Sequence, residues 1–381
     1  MSTNKFGIKE ILLPAVFLLI LLAACQDKTQ NTKVTLESDR EEKLQLGIPK
    51  RIIKLEMTSE SVLGNISKVQ TDFENDRIFV LSGFNIYIFN ASGKFIAKLS
   101  KGKGPEEVSM VMACSLNKKD RSLYILDNTN RICVIDYNGR FLRQAALKSF
   151  YAIDIQALDT ESVLLLNYKT SDKEPWFVAK YNLASGEVEQ KFIPITESKY
   201  PEYFMITQNS FHFSSSHKTF SASNIFNLYE YKENDFQKTI EYDLGKRTVP
   251  NNFLETMKNK RKSEFGEYAS ENGYVPYLLS SFYYKNYILA ILEDENRSCY
   301  VIDAENYNSI YMNGSLSGYF GLSDLFSFTF PMEVCDDYMV FAVNPTDFFS
   351  EDAAERSTTV QFGDQTMVLS LEENPFLVIV E

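Results

Sequence analysis

The sequence predicts an all-β protein, a six-bladed β-propeller of four-stranded antiparallel blades, and three observations lead to this prediction. First, a pattern of strand-like segments recurs about every 46 residues, each time with a glycine in its last turn. Second, Tyr and Phe supply 22 and 29 of the 381 residues, against 16 Gly and 11 Pro, a bias that favours pleated, half-buried surfaces. Third, an unmatched strand near the amino terminus complements an incomplete unit at the carboxyl terminus.

Composition excludes several classes of protein. With 44% hydrophobic and 24% charged side chains, the chain is neither disordered nor fibrous and can bury a large core. A formal net charge of −12 argues against binding to a phosphate backbone, so we expect no nucleic-acid partner. The only two histidines, His212 and His217, leave little material for imidazole zinc sites or Ser/His/Asp chemistry.

The amino terminus has the features of an export signal. Lys5 and Lys9 precede the apolar run 11–21, which is too short to span a bilayer and ends in small residues before Cys25. The alternative is a short membrane anchor with an incidental cysteine. The sequence Leu-Ala-Ala-Cys resembles the bacterial lipoprotein box, and this resemblance implies cleavage after residue 24 and diacylation of Cys25. We therefore expect residues 1–24 to be a lipoprotein signal peptide.

Residues 25–50 are polar and charged and lack an apolar period, so they predict a flexible tether between the lipid and the domain at 51–381. The expected location is the cell envelope, as an outer-membrane lipoprotein whose domain is a monomer. A single acid, Asp27, follows the cysteine closely, and this does not decide between the periplasmic and the surface side.

Three units of the repeat can be aligned directly. Each unit reads as four short strands, with the last turn closed by a glycine that tolerates the positive φ of tight hairpins. The matching segments are 76–81 and 120–127, then 86–95, 132–141 and 178–186, with Gly93, Gly139 and Gly186 at offsets of 46 and 47.

Weaker copies at 227–242 and 287–311 bring the count to five, and an incomplete unit at the carboxyl terminus makes six blades. We expect the first five to begin near Ile66, Val111, Tyr151, Phe204 and Leu278, and the sixth to use Phe326–Phe330, Tyr338–Val343 and Phe376–Val380. The sixth lacks an outer strand, which Arg51–Met57 is expected to supply, closing the ring and removing a free sheet edge. Between blades four and five, 246–273 reads as an insertion with a surface-lying helix at 253–260.

Four segments resemble the six-bladed β-propeller lipoproteins of Bacteroidota, within the NHL/YWTD-like group of propellers. They are residues 55–66, 93–96, 101–106 and 373–380. The resemblance spans nearly the whole chain after residue 25 and is weakest from about 195 to 330. It implies the same fold and a cell-envelope location, and it implies little about activity.

Propellers generally bind ligands where loops meet around one mouth of the central channel, and the corresponding loops here mix polar and aromatic residues. They predict a module that binds a glycan, a peptide or a partner protein. The candidate ligand-binding residues are Phe84, Lys101, Lys103, Glu106, Asn128, Asn130, Arg131, Trp176 and Arg297. Trp176, the only tryptophan, is either a core residue at a strand edge or a stacking platform.

A calcium-dependent hydrolase of the lactonase type is the alternative function. Such propellers hold calcium with carboxylate and amide oxygens, which Asn128, Asn130, Asp172 and Asp294 can supply. No spacing within the chain shows that these residues converge, and no catalytic residue stands out. We therefore favour a binding module that is not an enzyme and has no cofactor, with calcium left open.

Four cysteines follow Cys25, and all sit in apolar, strand-like runs: Cys114, Cys133, Cys299 and Cys335. An exported protein can form disulfides, yet the sequence contains no CxxC pair. We favour buried free thiols and leave the pairing open.

Overall fold

We analysed the chain in a computed structural model. It describes residues 31–36, 44–99, 102, 104, 106–148, 150–168, 174–203, 205, 209–257, 260–295, 297–312, 320, 330–349, 356–362 and 365–381. The predicted signal peptide at 1–24 and the predicted lipidation site Cys25 lie outside these residues. Within them, no helix is both long enough and apolar enough to cross a bilayer.

Six four-stranded antiparallel sheets form the blades of a ring, which confirms the predicted six-bladed propeller. The strands of blades one to three are β3 (Ile66–Asp72), β4 (Arg77–Ser82), β5 (Asn85–Phe89), β6 (Phe95–Lys98), β7 (Val111–Asn117), β8 (Ser122–Asp127), β9 (Arg131–Asp136), β10 (Phe141–Ala146), β11 (Ala152–Ala157), β12 (Ser162–Asn167), β13 (Trp176–Asn182) and β14 (Glu187–Pro194). Those of blades four and five are β15 (Phe211–Phe213), β16 (Lys218–Ala222), β17 (Ile225–Lys232), β18 (Asp235–Asp243), β19 (Tyr277–Tyr284), β20 (Tyr287–Glu293), β21 (Cys299–Asp303) and β22 (Ser309–Met312). Blade six comprises β23 (Glu333–Val334), β24 (Met339–Val343), β27 (Phe376–Val380) and β2 (Pro49–Lys54).

The sixth blade is made from both ends of the chain, as the sequence predicted. Strand β2 pairs antiparallel with β27, and Ile53 lies opposite Leu377. Two boundaries were wrong. The inner strand of this blade is Glu333–Val334, whereas Phe326–Phe330 was expected, and the first strand of blade four begins at Phe211, whereas a start near Phe204 was expected. Of the expected segment Phe326–Phe330 only Phe330 is described, and it lies outside any strand.

The repeat folds into blades because each middle strand is covered on both faces. Side chains alternate across a strand, so odd and even positions of β8 meet different neighbours. Leu123 and Ile125 pack with blade one, whereas Tyr124 and Leu126 pack with blade three. These strands are therefore apolar on both faces and do not show the simple alternation of a half-exposed strand.

The glycines that marked the repeat lie in equivalent turns between the third and fourth strands. Gly93, Gly139 and Gly186 have φ values of +88°, +81° and +72°, which L-residues rarely adopt. At Gly93 a Cβ would also lie 2.0 Å from the carbonyl oxygen of Lys54 in β2. Only glycine lets this turn of blade one approach the closing strand.

Part of the predicted tether is folded, which corrects the sequence interpretation. Strand β1 (Thr32–Thr35) adds a fifth, parallel strand to the outer edge of blade four by pairing with β18. Val34 and Leu36 are each only 2% exposed. Two apolar residues are too few to show a period in the sequence, but they suffice to cover the outer edge of blade four.

The insertion between blades four and five contains α1 (Asn251–Met257) and α2 (Phe265–Glu271), which confirms a helical insertion there. The expectation that the first helix lies on the surface was incomplete, because Phe253 and Met257 are buried among aromatic residues of the propeller. A second insertion was not predicted: the hairpin of β25 (Ser357–Phe362) and β26 (Gln365–Ser370) lies between β24 and β27.

The four described cysteines are free thiols, as favoured from the sequence. Cys114, Cys133 and Cys299 are buried and Cys335 is half-buried. Burial raises the pKa of the Cys114 and Cys133 thiols to about 11. Thiols with such raised pKa values carry little thiolate, so they are packing residues and not nucleophiles.

Candidate functional site

The propeller has two ends, and different loops form each of them. We call loop face the end formed by the connections from the second to the third strand of each blade and from each blade to the next. The predicted channel-mouth loops and the helical insertion belong to this end. The opposite face carries the turns between first and second strands and those between third and fourth strands.

Exposed apolar side chains are concentrated on the loop face. Met57, Val62, Phe84, Tyr151 and Tyr168 all lie on its connections, with Val62 58% and Phe84 51% exposed. The rings of Tyr151 and Tyr168 lie 6.5 Å apart. Large apolar side chains grouped on one surface mark interaction sites more often than scattered ones do.

A cavity of about 830 Å³ opens on the loop face, between the insertion and the loops of blades three and five. We call it the loop-face cavity. Tyr168, which follows β12, contributes to it, and so do residues 293–295 at the end of β20, which overlap the predicted loop 294–297. Its carboxylate residues are Glu202, Glu267, Glu271, Glu293, Asp294 and Glu295, and its aromatic residues are Tyr168, Tyr203 and Tyr277.

The charge of this cavity is largely uncompensated. Arg297 lies 3.4 Å from Glu293, and Arg247 lies 3.5 Å from Asp294. The other four carboxylates make no ion pair within the described part of the chain. Burial raises the pKa of Glu293, and the nearby carboxylate of Asp294 adds to the rise while Arg297 opposes it. Such a site favours a positively charged group.

Three of the predicted residues belong to one tight network within blade two. Asn130 donates from Nδ2 to the carbonyls of Leu147 and Phe150, at 3.0 and 2.6 Å. Arg131 is fixed by the buried carboxylate of Asp127 at 2.8 Å. Asn128 Oδ1 accepts a bond from the backbone of Met110. These contacts hold the loop of blade two to the connections on either side of it.

Trp176 is packed in the interior, the first of the two alternatives given above. Its side chain is 4% exposed and meets Phe150 edge to face at 5.0 Å, while its Nε1 donates to Glu174 at 2.6 Å. Phe84 and Glu106 are exposed, and so is Arg297 beside Glu293. Lys101, Lys103 and the proposed calcium ligand Asp172 lie outside the described residues.

No described residues form a cluster of three or more His, Cys, Asp or Glu side chains that could hold a metal ion. Of the suggested calcium ligands, Asn128 and Asn130 bind backbone groups, and Asp294 accepts bonds from the backbone and hydroxyl of Ser298. The described structure thus gives the calcium-dependent alternative no convergent ligand set.

A second cavity, of about 420 Å³, lies in the central channel and opens at the opposite face. We call it the channel cavity. Charged side chains from the innermost strands meet beside it: Lys68 Nζ of blade one lies 3.5 Å from Asp154 Oδ1 of blade three, and both side chains are 8% exposed. Glu333 of blade six accepts bonds from the Thr71 backbone and hydroxyl at 2.9 and 2.6 Å.

His212 of blade four lies in the wall of this channel cavity, with Nε2 2.9 Å from Ser280 Oγ of blade five. Burial, reinforced by the charge of Lys68, lowers the pKa of His212 to about 3. The imidazole of His212 is thus uncharged at neutral pH. Burial also raises the pKa of the Glu333 carboxyl, against the opposing effects of Lys118, Thr71 and Lys68.

Sequence reasoning missed the channel residues, although a signal existed. Asp154 interrupts the mostly apolar strand Ala152–Ala157, Lys68 lies in the mixed strand Ile66–Asp72, and each of these is the first strand of its blade. In a propeller the first strand borders the channel. Charged residues at such positions therefore indicate side chains that meet across the channel.

The fold and these two cavities define a β-propeller with one cavity at each end. Residues 45–381 match the family described as a domain of unknown function, DUF4934, and the chain belongs to that family. No curated protein matches the sequence.

Solved structures give the same picture of the fold. The crystal structure of a "Putative exported protein" from Bacteroides fragilis is 12% identical, with a TM-score of 0.69, and the match covers 92% of this chain and 98% of that one. The WD40 repeats of RRP9 are 9% identical at a TM-score of 0.47, covering 89% and 100%. The first likeness supports the propeller fold, and the second is too distant to support any argument.

Proposed function

We propose that this protein is a lipid-anchored propeller of the cell envelope that binds a basic, partly apolar segment of a partner protein at its loop face. The observation that carries the proposal is the loop-face cavity, in which six carboxylates surround three tyrosines. The lipoprotein box at Leu22–Cys25 and the likeness to an exported Bacteroides protein support the location.

The chemistry of the loop-face cavity favours a peptide over a neutral glycan. Carboxylates without ion-pair partners attract Lys and Arg side chains, and the exposed ring of Tyr168 adds apolar contact and cation–π attraction. A neutral sugar would gain little from this excess of negative charge. The exposed apolar residues elsewhere on the loop face, such as Phe84 and Val62, extend the contact area available to a protein partner.

The test is fluorescence anisotropy with the purified full chain and a labelled nonapeptide pool containing four basic and two aromatic residues. A variant with Glu267→Gln, Glu271→Gln and Glu295→Gln is expected to bind about tenfold more weakly, because three attractive charges are lost. The matched control replaces Glu161, Glu187 and Glu305, three exposed acids of the opposite face, by Gln and is expected to keep the affinity. Equal binding of an acidic pool, or an equal loss in the control, would contradict the proposal.

The proposed anchor gives a separate prediction. Cys25→Ser is expected to move the protein from the membrane fraction to the soluble fraction, because the acyl chains that hold it are no longer attached. Immunoblotting of fractionated cells measures this, with Cys335→Ser as the control that leaves the protein in membranes. Recovery of the Cys25→Ser protein in membranes at the level of the unmodified chain would count against a lipid anchor.

A further inference from the structure

The channel cavity holds polar groups that the described protein does not satisfy. Asn209 lines the cavity with φ of +60°, and its buried Oδ1 accepts no hydrogen bond from the described residues. The next residue, Ser210, is 1% exposed, and no described group bonds its Oγ. Buried polar atoms are nearly always hydrogen-bonded, so the unpaired Oδ1 of Asn209, which lines the cavity, points to a missing partner.

Lys68 is a second lining residue with unused hydrogen-bonding capacity. Its ammonium has one described partner, Asp154 at 3.5 Å, whereas a charge-assisted bond to a carboxylate is usually about 2.7–2.9 Å long. Asp154 is meanwhile held by the backbone of Ser210 at 3.1 Å. The ammonium therefore keeps donor capacity directed at the cavity it lines.

The charges around the cavity indicate the sign of the ligand. Lys118 stands exposed at its opening and adds a second ammonium to that of Lys68. The carboxylate of Asp336 is already bonded by the hydroxyls of Ser214 and Ser215 and the backbone of Ser216. Of the two other carboxylates in the lining, Glu333 accepts bonds from the backbone and hydroxyl of Thr71, and Asp337 is exposed. Lys68 and Lys118 are the charged lining groups with spare donors, and they favour an anionic group.

The remaining lining favours a compact ligand with both hydroxyls and an apolar side. Gln70, Gln156 and Asn209 offer amide groups, while Phe211, Phe213 and Met332 supply apolar surface. A volume of about 420 Å³ lies within the range of small-molecule sites. A sugar ring presents hydroxyls at its edge and C–H groups on its faces, and this matches such a lining.

We propose that the channel cavity binds a small hydroxylated carboxylate of the sugar-acid class, with its carboxylate on Lys68 and Lys118 and a hydroxyl on Asn209. This site is independent of the loop face, because it opens at the other end of the propeller and shares no residue with the loop-face cavity.

Isothermal titration calorimetry of the full chain in detergent tests the proposal, with galacturonate and glucuronate as probes and galactose and glucose as neutral counterparts. The acids are expected to bind at least about tenfold more tightly than the neutral sugars. Lys118→Ala is expected to weaken acid binding about fivefold, whereas Lys119→Ala, an exposed neighbour that does not line the cavity, leaves it unchanged.

A second variant probes the buried lysine without leaving an unpaired charge. Lys68→Met combined with Asp154→Asn removes both members of the pair together, and circular dichroism checks that it folds. Loss of acid binding in this variant supports the proposal. Three results would overturn it. The first is binding of the neutral sugars as tight as that of the acids, and the second is no heat from either acid at 10 mM, a concentration about ten times a Kd of 1 mM. The third is an equal loss of acid binding in Lys118→Ala and Lys119→Ala.

Discussion

Removal of residues 26–57 is expected to abolish cooperative folding, because it deletes the strand that closes the ring. Ile53 and Leu55 are buried against Leu377 and Ile379 of the last blade, and each such side chain contributes about 1.5–3 kcal/mol. The loss also exposes the backbone edge of β27. Together these costs are comparable with a total stability of about 5–15 kcal/mol.

Shorter deletions separate the closing strand from the segment before it. Removing 26–31 is expected to leave the melting temperature unchanged. Removing 26–46 is expected to lower the melting temperature, because Val34, Leu36 and Leu46 are buried. Loss of a tether without buried contacts would leave the melting temperature unchanged. Thermal melts followed by circular dichroism compare the three deletions. If loss of 26–57 were no worse than loss of 26–46, the closure between β2 and β27 would not hold the ring together.

The protein is expected to lose about 3 kcal/mol of stability between pH 7 and pH 4 through His212 alone. Its folded-state pKa of about 3 lies below the value of about 6.5 in an unfolded chain. Between these values the unfolded chain binds a proton that the folded chain does not, so acid favours unfolding. The contribution is complete above pH 6.5 and disappears as the pH falls towards 3.

Urea unfolding at several pH values measures this loss. His212→Gln keeps an acceptor for Ser280 but cannot titrate, so its stability is expected to fall by about 3 kcal/mol less than that of the unmodified chain over the same range. An identical pH dependence in His212→Gln would show that His212 is not buried uncharged.

Much of the fold was predictable because a propeller repeats itself. The glycines at 93, 139 and 186 mark turns that need positive φ, so a local signal fixes both the period and the strand order. Strand β1 escaped prediction because its pairing with β18 joins residues more than two hundred positions apart. The hairpin β25–β26 replaces a short turn, and nothing in the repeat signals it.

The candidate sites were less predictable for a physical reason. Loop membership follows from the strand pattern, so the loops bearing Tyr168 and Asp294 could be placed at one end of the ring. Which side chains share a cavity depends on long-range packing, and the insertion that contributes Glu267 and Glu271 has no counterpart in the repeat. Trp176 illustrates the limit, since its sequence position was compatible with both a core residue and a ligand platform.

Hydrogen–deuterium exchange of the full chain, with and without the basic nonapeptide pool, tests the central claim most directly. Binding at the loop-face cavity predicts slower exchange around Tyr168, in α2 and across residues 293–295, with no change in the turns of the opposite face at 118–121 and 158–161. Protection confined to those opposite turns, or no protection at a saturating peptide concentration, would contradict the account.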